Sequence, residues 1–423
     1  MSKTRSAILL LFMLSLTVLP FSNLSYANYF PDPGPDLPRI YITSNGSVEP
    51  ATAPIERAGN IYKLTNDIML CTVEIQRDNV VLDGNGYLIQ GNASWLGYDA
   101  GNNGVIMSNC KNVTVTGLNF EACYSAVKVI GSSNVTVVGN LFSDSNNKGV
   151  VLQGSSFCLV ADNTFNHLRT DINAAAINVN GANNTIKNNN LTGSTYGIQI
   201  TGVSNLVSDN LFESVLPIRL DSAQSNIISS NKLSGPAGQK GGEGIALFVN
   251  CSNNLFFNNS ITGFHNQAIR FVFNAENNTV YGNYFKDNEF AVVIQESAIN
   301  NLFYGNTFEA DSCNVSVFEV QNTFWDNGTI GNYWSNYQGA DINGDGIGDT
   351  PYALNGYVWN QTVDGFVSTP SGQDNYPLMA PYDIENQTVT PTPSLLPIIL
   401  PVLGATLAAG AGLLVYFKKY KCK

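Results

Sequence analysis

Apolar and polar residues alternate in short bursts along most of this chain, and the bursts recur at a near-fixed interval. The clearest marker is an asparagine: Asn140, Asn163, Asn189, Asn210, Asn231, Asn259, Asn283, Asn306 and Asn327, spaced 21 to 28 residues apart. Two places after it comes a large apolar residue: Phe142, Phe165, Leu191, Phe212, Leu233, Ile261, Phe285 or Phe308. Thr329 breaks the series at its last repeat. Three places before each asparagine stands another apolar residue, from Val137 and Val160 to Phe303 and Phe324. An alternating pair follows, such as Ile198/Ile200, Ile218/Leu220 or Ile269/Phe271.

Alternation over three to five residues is a strand signal, and no stretch of the repeats sustains a 3.6-residue period. A period in the twenties implies stacked units that bury their apolar faces against their neighbours. Leucine-rich repeats of similar length need a Leu-x-x-Leu-x-Leu signature and a helix, and neither is present. Short strands separated by Asn, Gly and Ser turns, in phase from repeat to repeat, predict an all-β parallel β-helix. Its 10 to 11 coils, roughly 4.8 Å apart, make a rod about 45 to 50 Å long. The asparagines then form an internal ladder, because an amide both donates and accepts and Asn tolerates left-handed turns.

The flanking segments bear on location. Lys3 and Arg5, the apolar run 7–19 and the small-residue site Ser25-Tyr26-Ala27 read as a signal peptide over 1–27. Residues 28–75 form a leader and an N-terminal cap, 76–330 the repeats, 331–382 a Gly- and aromatic-rich C-terminal element, and 383–394 a linker. The uncharged stretch 395–417 is long enough for a single transmembrane helix, and Lys418, Lys419, Lys421 and Lys423 after it hold the tail 418–423 in the cytoplasm. The expectation is an extracellular rod on a single-pass membrane anchor.

Without the signal and tail the chain carries 14 Lys and Arg against 32 Asp and Glu, a net charge of −18. That excludes non-specific nucleic-acid binding. Sequons such as Asn45, Asn92, Asn183, Asn258, Asn314 and Asn386 suit a glycoprotein. The seven cysteines show no C-x-x-C spacing; Cys158 reads as a core residue, and Cys110 with Cys123 could bridge within one coil.

Three constellations are candidates for chemistry. Asp341-Ile-Asn343-Gly-Asp345-Gly-Ile347-Gly-Asp349 places oxygen ligands at positions 1, 3, 5 and 9 of an EF-hand-type loop, with the Ile347 carbonyl at position 7. Position 12 is Tyr352 rather than glutamate, so Asp374 is expected to complete the shell of a structural Ca2+ ion. Two places before the asparagine ladder, Phe257, Tyr281, Tyr304 and Trp325 predict an outward aromatic strip suited to pyranose rings, unless residues 331–382 fold over it. Two coils carry inserts at one corner, holding His167, Arg169 and Asp171 in one and Lys240 and Glu243 in the other. With Arg219 and Asp221 on intervening coils they could line one groove, as a glycosidase or lyase would need.

The phrases Asn278-Thr-Val-Tyr-Gly-Asn-Tyr-Phe, Asn301-Leu-Phe-Tyr-Gly-Asn-Thr-Phe and Asn79-Val-Val-Leu-Asp-Gly-Asn-Gly resemble the repeats of NosD-like right-handed parallel β-helix proteins. So does the tail Gly331-Asn-Tyr-Trp-Ser-Asn-Tyr with its Asp341–Asp349 loop, which is similar to archaeal surface members. The resemblance spans about residues 40–382 and implies the pectate-lyase-like group of carbohydrate-binding proteins and sugar hydrolases. It implies fold more narrowly than activity. No polygalacturonase-like Asn-Thr-Asp, Asp-Asp or Arg-Ile-Lys set is present. Copper delivery, which the NosD name suggests, needs soft or imidazole ligands, and the chain has two His and five Met. The expected function is a surface β-helix that binds carbohydrate or serves the cell envelope as a structural or adhesive component. The alternative is a polysaccharide lyase or glycoside hydrolase.

Overall fold

The computed structural model describes residues 38–382, apart from 93–101, 144–147, 167–174, 193, 195, 238–240, 296, 312, 318–321 and 361–364. Three sheets of 13, 12 and 12 strands, here A, B and C, wrap one core as a parallel β-helix of about ten coils. A coil is typified by Thr185–Lys187 in sheet B, Asn190–Thr192 in sheet C and Tyr196–Ile200 in sheet A. Each strand stacks in register on its counterpart one coil away, as Ile186 does on Val207 and Leu191 on Phe212. Most strands of sheets B and C are three residues long and send their middle side chain into the core, as Val115, Phe120, Leu191 and Val280 show.

Each inward row is a continuous apolar stack. In sheet C, Phe120, Phe142 and Phe165 lie ring on ring, with centroids 5.1 and 4.4 Å apart. Further along, Phe285, Phe308 and Trp334 repeat the arrangement at 4.9 and 4.3 Å. At the corner entering sheet A the chain passes directly over these rings. A Cβ on Gly149 would lie 2.5 Å from the Phe165 ring and one on Gly197 2.8 Å from that of Phe212, so only glycine fits there.

The asparagine row is the internal ladder expected. The Oδ1 of Asn189 accepts both the backbone N–H (3.1 Å) and the Nδ2–H (3.0 Å) of Asn163, and the pattern repeats coil after coil. Its last rung differs from the expectation. Asn306 donates to Asn332, whereas Asn327 is an exposed turn residue capping Thr329 and Ile330. The final repeat holds extra turn residues before its ladder position. Trp334, two places after Asn332, therefore fills the apolar position that Thr329 had left open.

A second ladder, which the sequence reading missed, runs up the corner between sheets A and B. Asn184, Asn205, Asn226, Asn254, Asn278 and Asn301 use the same paired donation onto Oδ1. Each lies five places before a member of the first ladder, and that spacing was its available signal.

The stacked coils begin earlier than Asn79. Arg39–Ile42 already pairs in parallel with Thr72–Ile75, and Ile61–Leu64 with Val81–Asp83. The expected cap segment is thus partly a coil itself, closed at its edges by the antiparallel strands Val48–Glu49 and Ile55–Ala58. At the other end the antiparallel pair Tyr352–Asn360 and Gly365–Asp374 forms part of the C-terminal element. Cys110 carries a free thiol and lies at a different corner from Cys123, so the two do not bridge, and each thiol donates to nearby backbone carbonyls. Burial pushes the Cys123 thiol up to about 12 and those of Cys158 and Cys251 to about 11, as expected of inert core residues. Among the described residues no helix is long and apolar enough to cross a membrane; the expected signal peptide, linker and span lie outside them.

Candidate functional site

Alternation in sheet A turns Ile198, Ile218, Ile245 and Ile269 inward, and the residues after them therefore face out: Gln199, Arg219, Ala246 and Arg270, in register across four coils. Just past the strand ends lie Asp221 and Phe248. The Arg219 guanidinium forks onto Asp221, Nε to Oδ2 at 2.7 Å and a terminal nitrogen to Oδ1 at 3.1 Å, while Gln199 donates to the same carboxylate at 3.1 Å. Burial alone would lower the Arg219 pKa, but the hydrogen bond and charge of Asp221 outweigh it and raise it. Two coils on, Arg270 reaches Glu243 Oε1 at 2.9 Å and Gln295 at 3.2 Å.

Ala246, between the two arginines, leaves room for Phe248. Arg219 lies over its ring at 4.1 Å from the centroid and Arg270 at 5.6 Å. The result is an Arg–Phe–Arg platform whose charges are balanced by Asp221 and Glu243. Beside it three buried polar atoms have no partner among the described residues: Glu243 Oε2, Gln267 Oε1 and Arg270 Nε. Glu243 and Gln267 are register neighbours, so two acceptors and one donor sit together on an outward face. Buried polar groups left unpaired cost about 1–3 kcal/mol each, so this cluster calls for water or a ligand to complete it.

Of the residues expected here, Arg219, Asp221 and Glu243 share this face, while His167, Arg169, Asp171 and Lys240 lie outside the described residues. Phe248, Gln267, Arg270 and Gln295 were missed. The available signal was a polar residue between two inward apolar ones, as in Ile218-Arg-Leu220 and Ile269-Arg-Phe271.

The aromatic strip differs from the expectation in two ways. Phe257, Tyr281 and Tyr304 do stack on the outer face of sheet B, with centroids 5.2 and 5.3 Å apart and planes within 14° and 7°. Their faces are therefore spent on each other and mainly edges look outward, which is poor geometry for a pyranose. Tyr382 packs against Gly305 at the end of the row, and burial raises the Tyr281 and Tyr304 hydroxyl pKa values. Trp325 is not part of the strip. Phe324, not Trp325, pairs with Leu302, which turns Trp325 inward onto Phe303 at 4.7 Å, with 1% exposure. A one-residue slip moves a side chain to the opposite face, and the displaced last asparagine caused that slip.

The Asp341–Asp349 loop folds on its own backbone. Asp341 accepts from the amides of Gly344, Asp345 and Gly346, Asp345 from Ile347, and Asp349 from Ile342. Among the described residues no three Asp, Glu, His or Cys side chains converge to hold a metal. Asp374 is not a ligand of this loop: it is fully buried at the end of the asparagine ladder, where it accepts from Asn332 N, Trp334 Nε1 and Tyr376 N.

Two curated proteins, the probable ABC transporter binding proteins NosD of Stutzerimonas stutzeri and of Pseudomonas aeruginosa, are each 28% identical to this chain over 142 residues. The matches cover 28% of this chain and 32% and 33% of those proteins, so the chain spans about a third of their length. Among solved structures, the tailspike protein of E. coli bacteriophage HK620 in complex with pentasaccharide is 15% identical with a TM-score of 0.39, covering 62% of this chain and 60% of that one. Endopolygalacturonase I from Stereum purpureum is 12% identical with a TM-score of 0.41, covering 63% and 87%. The periplasmic alginate epimerase AlgG is 12% identical with a TM-score of 0.41, covering 69% and 70%. The family model described as the right handed beta helix region matches residues 65–210 and 175–337, and the chain belongs to that family.

Proposed function

We propose that this protein is a membrane-anchored, extracellular β-helix that binds carbohydrate on the outward face of sheet A. The observation that carries the reading is the trio of unpartnered buried atoms, Glu243 Oε2, Gln267 Oε1 and Arg270 Nε, beside the Phe248 platform. Neighbouring hydroxyls of a sugar both donate and accept. They match two acceptors and a donor in a way that a lipid tail or a phosphate does not. A lyase or glycosidase would need a carboxylate placed to move a proton, and here Asp221 and Glu243 are each engaged by an arginine at 2.7 and 2.9 Å. The anchor at 395–417 and the outside location stand on the sequence pattern.

A structural calcium ion at Asp341–Asp349 belongs to the same reading, also on its sequence pattern. It requires those carboxylates to turn from backbone amides to the ion, and chelation then lowers the melting temperature of the purified protein.

The test of the binding reading is a glycan array probed with the full chain in detergent, alongside Gln267→Ala and Arg270→Ala variants. Saccharide binding that both variants weaken by about tenfold or more supports it. Binding unchanged in both, or release of shortened or unsaturated sugars, overturns it.

A further inference from the structure

We propose that the corner between sheets A and B is an N-glycosylated edge of the rod, with Asn134 and Asn277 as acceptors. Nine successive coils place a residue with φ between 54° and 58° at this corner, from Asn112 to Asn300. Left-handed backbone does not demand asparagine here, since Phe157, Ser204 and Ser225 fill the same position. Two places on, where sheet B begins, the registered row holds leucine or isoleucine in five coils and threonine in four: Thr114, Thr136, Thr185 and Thr279. In each of those four the turn residue is Asn: Asn112, Asn134, Asn183 and Asn277. The fold thus requires neither member of the pair, yet threonine never occurs in this row without the asparagine that completes an N-x-Thr acceptor.

Exposure separates the four sites. Asn112, Asn134 and Asn277 are exposed, whereas Asn183 is half-buried and Thr185 buried. The Asn112 amide donates to Asn79 Oδ1 at 2.9 Å, an interaction that modification would break. Among the described residues the Asn134 and Asn277 side chains make no hydrogen bond. Asn112 and Asn134 are also on adjacent coils, roughly 4.8 Å apart, too close for two glycans to extend side by side. Asn134 is therefore the acceptor of that pair, and Asn277, six coils or about 29 Å further along, is independent of it.

The donor class is an oligosaccharide carried on a polyisoprenoid phosphate. Asn Nδ2 attacks C1 of the first sugar, the N–C1 bond forms as the C1–O(phosphate) bond breaks, and Nδ2 gives up one proton. This inference needs only the extracellular location and is independent of the ligand face on sheet A.

Glycopeptide mass spectrometry of the protein purified from its own organism's membranes tests it. Sugar-bearing masses are expected on the peptides holding Asn134 and Asn277. Thr136→Val and Thr279→Val keep the asparagine, the turn and the β-branched shape, and each is expected to erase its mass with an unchanged melting temperature. Thr279→Ser is expected to keep it. Unmodified Asn134 and Asn277 in the native protein, or sugar that survives the valine changes, overturns the proposal.

Discussion

Asp374 Oδ2 accepts the backbone N–H of Asn332 at 2.7 Å and so stands where the next asparagine of the ladder would place its Oδ1. Every rung donates in the same direction along the rod. The last coil would therefore end on unpaired donors, much as a helix N-terminus does, and a carboxylate is a fitting stop. Trp334, the last sheet C ring of the aromatic stack, which Tyr352 covers at 4.6 Å, donates to the same oxygen at 2.8 Å. Asp374 thus ends the asparagine ladder and ties it to the aromatic stack.

Asp374→Ala leaves the Asn332 and Trp334 donors buried without an acceptor. At about 1–3 kcal/mol each, the loss expected is roughly 2–6 kcal/mol. Asp374→Asn keeps an acceptor and should lose much less. Denaturant melts of both variants check the order; equal losses would remove the capping role.

The second ladder makes a sharper test of what holds the coils. Asn226→Ala strips the acceptor from both Asn205 donors and the donor from Gly202 O, so about 3 kcal/mol or more is expected. Asn188→Ala, at an exposed turn position with φ 55°, serves as the control and should cost under about 1 kcal/mol. Hydrogen exchange at the Asn205 and Asn226 amides should rise in the first variant only.

What was legible in the sequence divides along the same line. Strands, coil count and the first asparagine ladder follow from residue-by-residue periodicity, because stacking forces equivalent positions to carry equivalent chemistry. Where the period broke, inference failed. The extra turn residues before Asn332 shifted the last rung, and that put Trp325 on the wrong face. Asp374 looked like a calcium ligand because its role as ladder terminus depends on a segment 42 residues after Asn332, a separation no local pattern encodes. On sheet A the candidate face is half legible. Arg219, Asp221 and Glu243 were visible as charges in a poorly charged chain, but Phe248 joins them only through packing over Ala246.

Trp325→Ala distinguishes core from surface directly. A fully buried indole stacked on Phe303 should cost about 3–5 kcal/mol on truncation and leave the proposed carbohydrate binding on sheet A unchanged in the protein that remains folded. A stability change below about 1 kcal/mol, with binding lost, would instead restore Trp325 to the surface.

Asp311 ends a third, shorter ladder, accepting both the N–H and Nδ2–H of Asn288, at 2.8 and 3.0 Å, on a single oxygen, while its other oxygen has no partner. Burial pushes its pKa up from 3.8 to about 6, against the pull of the Asn288 bonds and with help from Asp287 and Glu309. A raised folded-state pKa means that the folded protein holds this proton more tightly than the unfolded chain. The stability contributed is therefore complete below about pH 4 and is lost as the pH rises to about 6. With allowance for partial exposure the loss is about 2 kcal/mol. Asp311→Asn offers Asn288 the same oxygen without the charge and extends the asparagine pattern by one rung. The variant should match the parent near pH 4 and exceed it by about 2 kcal/mol at pH 7, measured by denaturant melts at both values. Equal stability of the two proteins at pH 7 would mean that the buried carboxylate carries no such penalty.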